Sequence, residues 1–155
     1  MYTPKENFIR TVNKDNPDRL VNDYEAFAVI RNDPITDLDR GIRIQGQEIK
    51  DIYGTTIIWP ENQPGGMPHV TEENKVIKDI TNWRNELKLP DYEAMDLDWT
   101  LNAEMVAQVD RNEKLVTSIM ATGLFERLHF LIGFEDTLIN LLEEPEAMQD
   151  LLDAL

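Results

Sequence analysis

The stretch from Lys114 to Gly133 constrains the fold more than any other part of the chain. It opens with an apolar, β-favouring run, Leu115–Met120, breaks at Ala121–Gly123, and resumes as an amphipathic helix over Leu124–Ile132. Strand, tight turn and helix together make one half of a βαβ unit. Ligands of α/β folds gather at the carboxyl ends of strands, where the loop and the helix N-terminus face a crevice. A binding site is therefore expected beside this turn.

Four residues on or just after the turn are candidate site residues: Thr122, Gly123, Glu126 and His129. Gly123 and Glu126 are predicted to bind substrate, and a histidine at position 129 can exchange a proton near neutral pH. Each assignment has a simpler alternative. The helix dipole favours Glu126 in the first helical turn without any catalytic role. His129 is alternatively a partly buried helix residue that bonds a neighbour.

Most of the remaining sequence has helical patterns. The first helix is the clearest, because Thr3 can cap it, Pro4 suits its first position, and Glu6 completes a capping box. Further helices are expected over residues 24–31, 76–87, 97–112 and 134–142, and from Pro145 onward. The helix at 24–31 is expected to stop at Asn32, Asp33 and Pro34. Residues 37–41 are expected to be irregular.

Little of the chain is expected to be β structure. A short strand is predicted at residues 19–22, and further β structure is predicted within 41–60. The latter holds an alternating run at 42–44, a turn at 45–47, and a β-branched run ending at Trp59, which is a candidate substrate-binding residue or a core residue. The loop 60–68, rich in proline and glycine, is interpreted as a surface connection or as a mobile lid.

Composition excludes several classes of partner. The chain has 155 residues with 30 acidic and 15 basic side chains, a net charge of -15 that repels nucleic acid and anionic membranes. It has no cysteine, which excludes disulfides and thiolate metal sites within it and fits a reducing cytosol. The two histidines, His69 and His129, are far apart in the sequence and do not have the spacing of a pair of metal ligands. The N-terminus is not a signal peptide, and no run approaches the roughly 20 apolar residues of a membrane span. A cytoplasmic protein without a metal site, a nucleic-acid partner or a membrane partner is predicted.

The count of elements predicts an incomplete α/β architecture. Only about three strands can be placed among six or seven helical segments, and the chain ends just after a βα unit. Parallel strands are normally found in sheets that have further strands and are covered by helices on both faces. A sheet that lacks these neighbouring strands has an open edge. The expected fold is a helix-rich single domain over residues 1–155 that forms the front portion of a larger α/β structure.

The order of several segments resembles the N-terminal part of the uroporphyrinogen decarboxylase superfamily. The residues that carry the resemblance are KDIYGTTIIWP, VIKDITNWRNELKLPD, ATGLFERLHFLIGFED and LLEEPEAMQDLLDAL. The chain looks closest to the corrinoid-dependent methyltransferases, including those that demethylate phenyl methyl ethers. The resemblance spans nearly the whole chain and implies the N-terminal portion of a β/α (TIM-type) barrel.

The resemblance also implies roles for two residues. His129 occupies the place of a pocket tyrosine in the decarboxylases, and Asp51 loosely matches their catalytic aspartate. Zinc and a corrinoid are implied for the complete family enzyme, but the family's zinc ligands come later in the barrel and include cysteine. This chain is therefore expected to bind no cofactor alone. Asp51 and Asp136 are alternatively a carboxylate pair if the fold joins them.

Three functions remain open. The first is a methyltransferase that transfers methyl groups to or from a corrinoid protein, completed by a longer or partner chain. The second is a non-catalytic interaction module that docks on a homologue, on a corrinoid protein or on a second copy of itself. The third is a tetrapyrrole decarboxylase, which needs a cluster of cationic residues to hold several carboxylates. The decarboxylases' arginine-rich N-terminal motif ending in Gly-Arg-Tyr has no counterpart here.

Overall fold

A computed structural model describes residues 1–22, 24–31, 33–41, 43–119 and 122–155. Parts of three expectations fall on Asn32, Ile42, Met120 and Ala121, which lie outside the described residues. These expectations are the stop after the second predicted helix, the start of the alternating run, and the junction between the predicted strand and its turn.

The chain divides into two compact units. The first unit comprises Met1–Pro34 and Leu97–Met120, and the second comprises Ile35–Asp96 and Ala121–Leu155. The α-helices are α1 Pro4–Asn13, α2 Pro34–Arg40, α3 Trp83–Glu86, α4 Thr100–Ala107, α5 Leu124–Ile132, α6 Phe134–Glu143 and α7 Pro145–Ala154, with a 3₁₀ turn at Ile80–Asn82. The strands are β1 Phe27–Ile30, β2 Glu48–Lys50, β3 Thr56–Ile58, β4 Met67–Pro68 and β5 Leu115–Ser118.

Helix α1 begins as its sequence predicts. The Thr3 hydroxyl accepts from the Glu6 backbone N–H at 3.1 Å, and the Glu6 carboxylate accepts from the Thr3 backbone N–H at 3.0 Å. Pro4 occupies the first turn, and Lys14, directly after the helix, adopts the left-handed conformation. The capping box and the Pro4 start are confirmed.

The first unit contains a two-stranded parallel sheet. β1 and β5 pair in register from Phe27 opposite Leu115 to Ile30 opposite Ser118. The expectation of a strand in Leu115–Met120 is thus confirmed at Leu115–Ser118, whereas Ile119 lies beyond the end of the strand. The expectations of a strand at residues 19–22 and a helix at 24–31 were wrong, since no strand forms at 19–22 and β1 lies inside 24–31. The run Phe27–Ile30 is aromatic and β-branched, and its pairing with a distant strand overrides its weak helical spacing.

Three further predictions need correction. Residues 37–41 are not irregular throughout, because α2 begins at Pro34 and continues to Arg40. Proline fits the first turn of a helix, so Pro34 starts a helix where it was expected only to stop one. The helices predicted at 76–87 and 97–112 shorten to the 3₁₀ turn with α3 and to α4.

The second unit holds a three-stranded antiparallel sheet, ordered β2-β3-β4, and the main apolar core. The turn before β2 contains Gly46 with φ +79°, a conformation that favours glycine, and it confirms the turn predicted at 45–47. Helix α5 has the predicted bounds, Leu124–Ile132. The core cluster consists of Tyr53, Ile77, Ile80, Trp83, Leu87, Leu128, Leu131, Ile132, Met148 and Leu151.

Within the described residues, the fold is mixed α/β, with two small sheets and no closed barrel. None of the helices described there has both the length and the apolar content needed to cross a membrane.

Candidate functional site

Asp51 lies in the tight connection between β2 and β3, where its carboxylate is almost fully buried. One oxygen, Oδ1, accepts from the backbone N–H groups of Tyr53 at 3.0 Å and Thr55 at 2.8 Å. Only 2% of the side chain is exposed. The local turn therefore fixes the carboxylate and leaves the second oxygen, Oδ2, for a partner from another element.

That partner is Arg127 on α5, and it joins two carboxylates. Its Nη1 donates to Asp51 Oδ2 at 3.0 Å, and its Nη2 donates to Asp39 Oδ2 at 2.9 Å. The guanidinium carbon lies 4.0 Å from the centre of the Tyr53 ring, a cation–π contact. Arg127 is 4% exposed, so its charge is compensated inside the protein and not by solvent.

Tyr92, which is partly exposed, completes a network of Asp39, Asp51, Tyr53, Tyr92 and Arg127, which we call the buried charge network because Asp51, Tyr53 and Arg127 are buried. The Tyr92 hydroxyl donates to Asp39 Oδ1 and lies 3.2 Å from the Tyr53 hydroxyl. Burial, and next the bond to Asp39, raise the pKa of Tyr92 well above its ordinary value. Burial also raises the pKa of Tyr53. Both tyrosines therefore stay protonated at physiological pH, and the Tyr92 hydroxyl is the hydrogen-bond donor to the Asp39 carboxylate.

Sequence reasoning missed most of this network. Arg127 interrupts an apolar helix next to Leu128 and one turn before Leu131, which are both core residues. A cation on the buried side of a helix demands an acidic partner, and this was the available signal. No comparable signal pointed to Asp39 or Tyr92.

His129 lies in a different environment from Asp51. Its ring is surrounded by aromatic rings, with centroids at 4.6 Å for Phe130, 5.5 Å for Phe125 and 5.7 Å for Phe134. Burial lowers the pKa of His129 below its ordinary value, despite the opposing influence of Glu126. The imidazole is therefore neutral at pH 7. Asp51, the other predicted catalytic residue, pairs with Arg127. The alternative carboxylate partner, Asp136, pairs with Lys75.

The three predicted substrate-binding residues lie at two places in the second unit. Gly123 precedes α5, and a Cβ at this position would clash with Glu126 Oε2, so the carboxylate folds back over the glycine. Both Gly123 and Glu126 are exposed. The Trp59 indole N–H donates to the Gln63 carbonyl at 3.0 Å and ties the start of the Pro/Gly loop to its middle.

The first unit carries an apolar groove of about 430 Å³. The groove lies along α4, β1 and β5 and is lined by Ile30, Asp33, Trp99, Asn102, Ala103, Val106, Val116, Thr117 and Ser118. Ile30 and Ser118 are the last residues of their strands and lie opposite each other in the parallel register. The groove therefore reaches the carboxyl ends of a parallel strand pair, the position expected for ligands in α/β folds.

The second unit carries a larger cleft of about 890 Å³ with mixed charge. Its charged lining residues are Lys50, Lys75, Lys78, Lys88, Glu73, Glu86 and Asp91. Lys75 is already paired with Glu72 and Asp136. The Glu86 carboxylate accepts from the Lys78 backbone N–H, and this bond lowers the pKa of Glu86. The remaining lysines and acids balance each other, so the cleft is not a cationic pocket.

No group of three or more histidine and acidic side chains in the described part of the chain is arranged to hold a metal ion.

The fold and these sites define a mixed α/β protein with a buried charge network and an apolar groove beside parallel strands. No protein-family model, curated protein or solved structure matches the chain.

Proposed function

We propose that this chain is the N-terminal portion of a β/α barrel enzyme of the uroporphyrinogen decarboxylase superfamily. The proposed activity is transfer of a methyl group from a phenyl methyl ether to a corrinoid protein in the cytoplasm. The zinc ligands would come from a continuing or partner chain. The resemblance over nearly the whole sequence supports the family, and the parallel pairing of β1 with β5 supports a β/α architecture.

The observation that carries the proposed activity is the apolar groove in the first unit. Its walls include Trp99, Val106 and Val116, and its few polar atoms come from residues such as Asn102 and Thr117. Small-molecule sites are typically apolar with a few polar groups that orient the ligand. A single aromatic ring with one ether oxygen matches the chemistry of this groove and is small enough to enter it.

The tetrapyrrole decarboxylase alternative is less well supported. Binding several substrate carboxylates requires a surplus of cations, whereas the lysines of the larger cleft are balanced by Glu73, Glu86 and Asp91. The apolar groove has no lysine or arginine in its lining.

The proposal is tested by titrating the purified chain with methoxybenzene and following backbone amide shifts by nuclear magnetic resonance. We expect saturable shifts in α4 and β5. Ala103→Trp fills the groove and should abolish them, whereas Ala107→Trp, an exposed position one turn later on α4 that does not line the groove, should preserve them.

Two results would contradict the proposal. One is the absence of saturable shifts in the unsubstituted chain. The other is equal binding by the Ala103→Trp and Ala107→Trp variants, which would mean that methoxybenzene binds elsewhere.

A further inference from the structure

The outward sides of α5 and α6 expose an unusual number of large apolar side chains. Phe134 is 59% exposed, Leu138 44% and Leu142 85%, and Phe125 on α5 is 38% exposed. Isolated exposed apolar residues are ordinary on protein surfaces, but a contiguous patch indicates an interaction site.

These residues form one continuous surface. The rings of Phe125, His129 and Phe134 lie within 6.1 Å of one another, centroid to centroid. Phe134, Leu138 and Leu142 follow at spacings of four residues, which places them on one side of α6. We call the five residues Phe125, His129, Phe134, Leu138 and Leu142 the apolar face. Its α6 part extends about 12 Å, given a rise of roughly 1.5 Å per residue.

The chain segment that begins with α6 and ends with α7 is acidic. Residues 134–155 contain seven acidic residues and neither lysine nor arginine. Only Asp136 and Asp150 make ion pairs with described residues. The other five acidic residues of this segment make no ion pair with a described residue: Glu135, Glu143, Glu144, Glu146 and Asp153. Glu126 on α5 is also exposed and makes no ion pair with any described residue.

We propose that the apolar face docks a basic amphipathic helix of another protein. Such a helix would place apolar residues spaced three or four apart on Phe134, Leu138 and Leu142 and its lysines or arginines beside the surrounding carboxylates. A second copy of this chain is a poorer occupant, because it would bring one acidic surface against another in a chain of net charge -15. The inference does not depend on the proposed methyltransferase activity.

The experiment uses a fluorescein-labelled, 18-residue helical peptide of leucine and lysine, with a leucine and glutamine peptide of the same pattern as the charge control. Fluorescence polarisation measures its affinity for the whole chain. We expect saturable binding of the lysine peptide that weakens as salt is added, and much weaker binding of the glutamine peptide.

The decisive variant is the double substitution Leu138→Gln and Leu142→Gln, which removes apolar surface without changing charge. Both positions are exposed, so the fold is expected to persist. Affinity for the lysine peptide should fall about tenfold or more. Leu20→Gln, at a position 90% exposed in the first unit, is the matched control and should leave the affinity unchanged.

Three results would overturn the proposal: equal affinity of the double variant and the unsubstituted chain, equal binding of the two peptides, and self-association. The last would be seen by sedimentation as a dimer that the double variant dissociates, and it would assign the apolar face to a second copy. Because no methyl ether is involved, failure here leaves the methoxybenzene result unaffected.

Discussion

The two compact units stabilise their interiors by different means. The second unit buries a cluster of ten apolar side chains. Three of them, Ile77, Leu131 and Leu151, are fully inaccessible to solvent. Among the described residues of the first unit, the buried apolar side chains are Ala26 and Ile30. The first unit instead buries amides, since Asn7 is fully inaccessible and Asn102 is 7% exposed.

Those amides connect separate segments through hydrogen bonds. The Asn7 side chain donates to the Arg19 carbonyl at 3.0 Å and accepts from the Asp18 backbone N–H at 3.0 Å. Asn102 donates to the Arg31 carbonyl. Hydrogen bonds add little net stability compared with burial of a large apolar side chain. We therefore expect the second unit to be the more stable of the two.

The largest effect is expected when the buried charge network of the second unit is broken. Arg127→Ala would leave the buried Asp51 and the partly buried Asp39 without their cation, and removing one partner of a buried pair costs about 3–5 kcal/mol of unfolding free energy. The control is Arg84→Ala, because Arg84 pairs with Asp150 at the surface with 61% of its side chain exposed, where an ion pair contributes at most about 1 kcal/mol. Urea unfolding followed by circular dichroism measures both. Similar losses for the two variants would show that the network contributes no more than a surface pair.

The next effect tests the apolar core of the second unit. Leu131→Ala removes a side chain with no exposure and should cost about 2–5 kcal/mol. Leu101→Ala in the first unit changes a side chain that is 55% exposed and should cost about 0.5 kcal/mol or less. The urea concentrations at the midpoints of unfolding give the stability loss of each of the two variants. A loss for Leu101→Ala as large as that for Leu131→Ala would mean that the first unit depends on apolar packing after all.

A smaller effect is expected from the buried amide of the first unit. Asn7→Ala removes both hydrogen bonds of the buried amide, which together cost about 1–3 kcal/mol at a net value of roughly 0.5–1.5 kcal/mol for each bond. Asn13→Ala, an exposed position at the end of the same helix, is the control and should change stability by about 0.5 kcal/mol or less. Hydrogen exchange of the α1 and β1 amides locates the loss. Protection factors that fall equally in both variants would contradict a specific role for Asn7.

The difference between local and distant interactions also explains which predictions succeeded. Helix α1 follows from Thr3, Pro4 and Glu6, which act within one turn. Helix α5 follows from its own apolar period and from Gly123 before it and Gly133 after it. These signals are contained in the segment that they shape, so they can be read from the sequence.

The failures depend on partners far along the chain. β1 was mistaken for a helix because Phe27–Ile30 becomes a strand only by pairing with Leu115–Ser118. Arg127 meets Asp51 across 76 residues and Asp39 across 88, so no spacing rule connects them. The placement of His129 among aromatic rings arises partly from Phe134 on the next helix. The sequence therefore suggested single residues such as Asp51 and His129 without determining which side chains they contact.

The smallest expected effect is a pH dependence that originates at His129 in the second unit. Burial holds its pKa in the folded chain below the ordinary value of 6.5, so the folded state favours the neutral ring. The resulting stability is fully present above pH 6.5 and is lost as the pH falls through the lower folded pKa, because the unfolded chain binds the proton first. Urea midpoints of the unsubstituted chain and of His129→Gln, measured at about pH 8 and about pH 5.5, isolate this contribution from that of the carboxylates. The unsubstituted chain should lose more stability on acidification than the variant does. Equal losses would show that the aromatic surroundings of His129 exclude too little water to disfavour its charged form.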